Sequence, residues 1–230
     1  MIGANCIIDL SHHSGNVDLV KAKADGIVAI IQKATQGTGF TDPTFATNRQ
    51  KAADAGLLFG TYHFGTGADG VDQADFFLNV VQPNPGDLLV LDFEANAQGP
   101  SMTMEEARAF VTCVQASNLL WPGLYSGHYL KELLQTSNDP VLTNCWLWIS
   151  QYGSTAVIPP AWKAWPCGST RTVRPGRYHI PSTESAPAIG TLSMARLRHC
   201  KPSGTRCQWR RRPLKRYRCW VDTASAGFGW

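Results

Sequence analysis

The sequence predicts an α/β protein in which a parallel sheet, curled as a TIM-like β/α barrel, carries its helices on the outside. Three observations predict it. Short aliphatic runs alternate with segments of helical period from Cys6 to Ser150, the pattern of a β/α fold. Several of these runs are apolar throughout, as expected of strands buried on both faces. Each also stops at polar or aromatic residues: Asp9, Lys33 and Gln36, Tyr62 and His63, Asp92 and Glu94, Tyr125, then Trp148 and Tyr152. The C-terminal strand ends are where such barrels keep their active face.

Taken in order, Cys6 to Leu10 is a short strand interrupted by Asp9, followed by the polar turn Ser11-His12-His13-Ser14-Gly15. Val17 to Ala24 suits a helix and Ile27 to Gln32 a buried strand. Asp42 or Pro43 starts the next helix, closed by Gly56 just past its end. Leu57 to Phe64 is the third strand and Val71 to Val81 the helix after it. Ser101 or Thr103 caps a helix whose first turn holds Glu105 and Glu106 and whose apolar positions Ala107, Phe110, Val111 and Val114 share a face. Leu120 to Tyr125 is a strand, Leu130 to Leu134 a short helix, and Cys145 to Ser150 the last strand of the series.

The stretch from Leu88 to Glu94, Leu-Leu-Val-Leu-Asp-Phe-Glu, organises the rest. Alternation along a strand turns Asp92 and Glu94 to one side and Phe93 to the other. Their backbones stand about 6.6 Å apart at the usual rise, so one bond of a substrate fits between the carboxyls. An isolated Asp-x-Glu also fits a helix cap. Here the acids lie among Asp9, Tyr62, Tyr125 and Trp148, and acids ringed by aromatics describe a carbohydrate site. No glycine-rich phosphate loop and no Cys-x-x-Cys or other metal-ligand spacing occurs, which argues against nucleotide enzymes and metallohydrolases.

Five ordered segments carry a resemblance to glycoside hydrolase family 25, the Chalaropsis-type lysozymes. They are Ile8-Asp9-Leu10-Ser11, Lys33-Ala34-Thr35-Gln36-Gly37 with Asp42-Pro43 and Phe45 behind it, Gly60-Thr61-Tyr62-His63-Phe64, Leu91-Asp92-Phe93-Glu94, and Leu147-Trp148-Ile149-Ser150-Gln151-Tyr152. The resemblance covers about residues 5–165 and implies a β/α barrel with irregular later strands. It implies cleavage of the β-1,4 bond between N-acetylmuramic acid and N-acetylglucosamine in peptidoglycan, without cofactor or metal. On this reading Glu94 is the general acid/base. Asp92 is either the nucleophile or the group orienting the substrate's own acetamide, and Asp9 completes the acidic cluster. Tyr62, His63, Gln36, Tyr125, Trp148 and Tyr152 are the expected substrate-binding residues, although His63 also reads as a satisfied structural histidine. The family commonly has Glu where this chain has Gln36.

Charge divides the chain. Residues 1–165 carry 8 Lys+Arg against 15 Asp+Glu, whereas residues 166–230 carry 13 against 2 and include Arg210-Arg211-Arg212. Two regions are therefore expected: a catalytic barrel over residues 1–166 and a basic, Arg- and Cys-rich tail of low order over 167–230. The family's closing Trp-Gln-Tyr segment and its later active-site Asp are not matched in the tail, whose one Asp is Asp222 near its end. The genetic code explains both absences. Cys167-Gly168-Ser169-Thr170-Arg171-Thr172-Val173 can be encoded as TGT GGC AGT ACA CGG ACG GTN. Read from the third base, the same string gives Trp-Gln-Tyr-Thr-Asp-Gly. Ser182 to Pro187 permit Asp-Gly-Ile-Gly-Pro in that frame, and Ala188-Ile189-Gly190 permit Gly-Asp-Arg. A single-base slip between Trp165 and Cys167 is the expectation, leaving a tail with no selected function.

The competing readings are a non-catalytic peptidoglycan-binding remnant and a polyanion binder acting through the Arg-rich tail. The joint presence of Asp9, Asp92 and Glu94 favours the enzyme. Glycan strands of peptidoglycan are the expected partner, with neither nucleic acid nor membrane, and the chain is expected to be a monomer. No signal peptide precedes the first strand, so a wall-directed role implies secretion by another route or release on lysis.

Overall fold

The structure, a computed structural model, describes residues 6–150, 158–162 and 167–169. Strand β1 (Cys6–Leu10) leads through helix α1 (Leu19–Ala24) to β2 (Ile27–Gln36), the two-residue β3 (Phe40–Thr41) and α2 (Phe45–Ala55). Then β4 (Leu58–Phe64), α3 (Gly70–Val81), β5 (Leu88–Asp92), α4 (Met104–Asn118), β6 (Gly123–Ser126), α5 (His128–Leu134), β7 (Trp146–Ser150) and β8 (Cys167–Ser169) follow. The sheet runs β1-β2-β4-β5-β6-β7-β8 with every neighbour parallel, and β3 adds to β2 antiparallel. It curls into a half-barrel, the parallel β/α architecture that the sequence predicts.

Alternation along the strands sorts the side chains into two layers. On β5, Leu89 and Leu91 face outward, with Phe93 just beyond them, and join Phe77, Val111, Phe110, Leu124 and Leu147 in the main core beneath the helices. Val90 faces inward with Ile31 and Trp148, flanked by Tyr62, Leu88, Tyr125 and Trp146. A third cluster seats α1 and α2 on the first strands through Leu10, Leu19, Ala22, Ile30 and Ala52. Burying a side chain the size of Phe77 or Phe110, both 0% exposed, contributes about 1.5–3 kcal/mol each. The outer layer is thus the main source of stability and the inner layer is free to carry chemistry.

Local signals set the helix ends. Thr103 caps α4 as a capping box, its hydroxyl accepting from the Glu106 N–H while the Glu106 carboxylate accepts from the Thr103 N–H. Ser101, the other expected cap, instead accepts from the Asn96 N–H at 2.8 Å. Gly56 closes α2 at φ 65°, a left-handed conformation that glycine adopts without a Cβ clash. Gly70 opens α3 where a Cβ would meet the Glu106 carbonyl of α4, so a side chain there would push α3 and α4 apart.

Several boundaries differ from expectation; β6 begins at Gly123 and α5 at His128, and three other differences have a structural reason. β2 continues past Gln32 to Gln36 because its polar end residues find partners inside the fold. Helix α2 starts at Phe45, since Asp42 is occupied elsewhere. β8 pairs Cys167, Gly168 and Ser169 with Trp148, Ile149 and Ser150, so the boundary expected after residue 166 falls just before a strand of the sheet. Among the described residues no helix is long and apolar enough to cross a membrane.

Candidate active site

Asp92 is the last residue of β5, and the backbone on both sides of it is clamped. The Gly65 N–H donates to the Asp92 carbonyl at 3.0 Å and the Phe93 N–H to the Tyr125 carbonyl at 2.8 Å, while the Ser126 hydroxyl donates to the Phe93 carbonyl. The Phe93 ring, 5.1 Å from Tyr129, is locked in the outer core. Glu94 therefore leaves the strand at a fixed point. The loop beyond it is tied down by Asn96 to Ser101 and by Gly67 to Pro100. Asp9 enters from β1, level with Ile31 of β2.

The three carboxyls face one another. Asp92 is buried, and its Oδ1 has no hydrogen-bond partner among the described residues. Burial, then the neighbouring Glu94, raises its carboxyl well above the ordinary range; Asp9 adds to this and Lys33 opposes it. Glu94 is half-buried and is also raised, first by burial and then by Asp9. Asp9 opens to solvent at the mouth. The protein walls around it still push its carboxyl upward, against a hydrogen bond from its own backbone. Like charges held together at low dielectric oppose one another's ionisation, so this cluster holds its protons more tightly than free carboxyls do and can deliver one.

The aromatic residues are held by polar tethers. The Tyr62 side chain is hydrogen-bonded to that of Ser11 and the Tyr125 side chain to that of Ser150. Burial first, then the acidic cluster, drives both phenols upward, so both remain neutral. Tyr125 stands edge-on to Trp148 at 4.9 Å. Trp148 is only 4% exposed and its Nε1 has no partner among the described residues. It offers a donor more than a stacking face. Gln36 lies half-buried at the mouth, its Oε1 accepting from the Lys33 ammonium at 2.6 Å.

One expected site residue is misplaced. His63 points opposite to Tyr62, into the layer under α3 and α4, where it is 0% exposed and packed against Phe77 and Phe110. Its Nδ1 meets the Thr35 hydroxyl at 2.7 Å and its Nε2 the Gln73 Oε1 at 3.2 Å. Burial pushes its pKa down to about 3. It is a neutral structural histidine and cannot touch substrate in the mouth. Tyr152 lies outside the described residues.

Three residues outside the expected catalytic and substrate-binding set also shape the site. Asp42 is buried and accepts from the N–H and Nδ1 of His12 and from the N–H and hydroxyl of Thr44. This pins the turn after β1 to the start of α2. Phe40 on β3 is 40% exposed, 5.6 Å from the His12 ring, and offers an aromatic face at the rim. Its place one residue before Thr41-Asp42-Pro43 was the available signal. Lys33 is 7% exposed inside the mouth.

A curled β/α sheet with a coupled carboxylate pair at a strand end, a third acid beside it and an aromatic surround is the constellation of a glycoside hydrolase. The chain belongs to one such family: residues 8–170 match the model of Glycosyl hydrolases family 25. It is 26% identical to Lysozyme M1 of Streptomyces globisporus over 72% of this chain and 62% of that protein. It is 28% identical to the N,O-diacetylmuramidase of a Chalaropsis species over 67% of this chain and 82% of that one. Among solved structures, the muramidase of Trichobolus zukalii matches at a TM-score of 0.66 and 28% identity, covering 73% of this chain and 87% of that one. A family GH25 lysozyme of Aspergillus fumigatus matches at 0.62 and 27%, covering 72% and 86%. The chain spans less than two thirds of the length of Lysozyme M1, and 44% of the Autolytic lysozyme of Clostridium acetobutylicum.

Proposed function

We propose that this chain is a muramidase that hydrolyses the β-1,4 bond between N-acetylmuramic acid and N-acetylglucosamine in peptidoglycan. The observation that carries the reading is the placement of Asp92 and Glu94 at the end of β5 with Asp9 of β1 beside them, each carboxyl raised by burial. Glu94, half-buried and protonated, donates its proton to the glycosidic oxygen as the bond to the muramic acid anomeric carbon breaks. The remaining carboxylate stabilises the oxocarbenium-like centre. Asp92, with Oδ1 unpartnered, acts there either as nucleophile or by accepting the N–H of the substrate's acetamide. Glu94, now a carboxylate, then takes a proton from the incoming water. Tyr62, Tyr125, Trp148 and Gln36 line the sugar subsites, Tyr152 extends them, and the working unit is a monomer without metal or cofactor.

The barrel over residues 1–166 is the catalytic unit in this reading, and residues 167–230 are the out-of-frame remainder. Two facts support the second part. The family match ends at residue 170, leaving residues 171–230 outside it, and Cys167–Ser169 takes a strand position beside β7, where the alternative frame encodes Trp-Gln-Tyr. Mass spectrometry of the fragments released from purified peptidoglycan tests the activity. N-acetylmuramic acid at the new reducing end is the expected result; N-acetylglucosamine there, or released peptide, contradicts it.

A further inference from the structure

We propose that Lys33 is a positioning residue for the carboxylate pair: its ammonium, lodged in the mouth opposite Asp92, keeps Asp92 as the carboxylate and leaves the pair's proton on Glu94. The inference deepens the muramidase reading and rests on it for the role of Glu94. It starts from the sheet register. A bulge between Lys33 and Thr35 breaks the pairing of β2 with β4, which allows Lys33 and Gln36, three residues apart, to turn to the same side. Beyond the bulge Gln36 pairs with Phe64, and Phe64 pairs with Asp92. The Lys33 Nζ is 2.6 Å from the Gln36 Oε1 and 5.0 Å from the centre of the Phe64 ring. The cation thus lies over Phe64 of β4, level with Asp92 on the strand beyond.

A buried ammonium needs a counter-charge, because a neutral partner does not offset its lost hydration. Gln36 is neutral, and Phe64 and Phe40 supply only ring faces. Burial lowers the pKa of the Lys33 ammonium, and two carboxyls act against it, Asp92 first and then Asp42, while the neighbouring His63 is neutral. Asp42 is already satisfied by four hydrogen bonds from His12 and Thr44. Asp92 has no donor on Oδ1. The groups facing Asp92 are Glu94 from its own strand end, Asp9 from β1, Tyr62 from β4, Tyr125 from β6 and Lys33 from β2. Of these, Glu94 and Asp9 disfavour a charge on Asp92, the two phenols are neutral, and Lys33 alone favours it. A glutamate at position 36 would give Lys33 a counter-charge there; the neutral glutamine leaves Asp92 as the carboxyl without a donor on Oδ1.

The test is a carbon-13 titration of the Asp and Glu side-chain carboxyls in the full chain and in Lys33→Met, Lys33→Arg and Gln36→Glu. The expected result places the Asp92 midpoint below that of Glu94 in the unaltered chain. In Lys33→Met the Asp92 midpoint rises by at least about one pH unit and the order reverses. Lys33→Arg keeps the original order, and Gln36→Glu raises Asp92 by a smaller amount. An Asp92 midpoint above that of Glu94 in the unaltered chain, or one unmoved in Lys33→Met, overturns the proposal. If Lys33→Met does not fold, an unmoved Asp92 in Gln36→Glu does the same. The titration needs no substrate, so its failure is distinct from a failure of the muramidase reading. A chain with the expected carboxyl order that releases no muramic-acid reducing ends contradicts the activity alone.

Discussion

His63 and Glu94 differ in what burial does to them. Folding keeps the His63 imidazole neutral, with its pKa pushed down to about 3 from about 6.5 unfolded. Its contribution is fully present above the unfolded value. As pH falls through 6.5 the unfolded chain takes up a proton that the native state refuses, and stability drops by up to about 1.4 kcal/mol per pH unit toward pH 3. His63→Gln, measured by urea unfolding, is therefore expected to be less stable than the parent at pH 7, with the gap closing toward pH 4. A gap that stays constant with pH would show that His63 is charged in the native state or contributes by packing alone. The raised carboxyls of Asp92 and Glu94 work in the opposite sense, since each binds its proton more tightly folded than unfolded. They are present in both proteins and cancel in the difference.

At this scale the sequence was legible where alternation alone decides. Asp92 inward and Phe93 outward follow from the strand period, and both are found so. The same rule turns His63 away from Tyr62, which separates the structural histidine from the site. Glu94 reaches the mouth by another means than the strand period implies, because β5 ends at Asp92 and loop hydrogen bonds carry Glu94 onward. Lys33 was legible as a strand-end residue of the active face, but its burial was not. Its burial depends on a bulge in β2 and on Phe64 and Asp92 from two other strands, contacts that no local pattern encodes.

Among the elements, the fit of α3 on α4 is the most exacting, because Gly70 admits the Glu106 carbonyl where a side chain would stand. Gly70→Ala is expected to cost about 1–3 kcal/mol through overpacking, read as a lower urea midpoint with an unchanged m-value. A loss under about 0.5 kcal/mol would mean that the helix pair shifts at little cost. The strand and helix series was legible because each element carries its own apolar period and cap, as Gly56 and Thr103 show. β3 escaped, since two residues have no period. β8 escaped because its partner strand, not its composition, makes Cys167–Ser169 extended.

The whole molecule joins an acidic body to a basic tail. The family match spans residues 8–170, and on the proposed slip the tail regains a Trp-Gln-Tyr segment only when the frame is changed. Replacing residues 167–230 by the sequence of the alternative frame is expected to raise both the thermal midpoint and the turnover on peptidoglycan, because Trp-Gln-Tyr would then occupy the strand beside β7. Equal stability and equal turnover in the two proteins would count against the slip. So would a gene sequence unable to encode Trp-Gln-Tyr from the third base of the Cys167 codon.

The most direct measurement is the initial rate of reducing-end release from purified peptidoglycan, compared between Glu94→Gln and Glu94 forms of both the chain as it stands and its frame-restored version. The account predicts release by the restored chain at least, and a loss of about 10²–10⁴-fold in Glu94→Gln with peptidoglycan binding retained. Undiminished release in Glu94→Gln, or none in either Glu94 form, would contradict it.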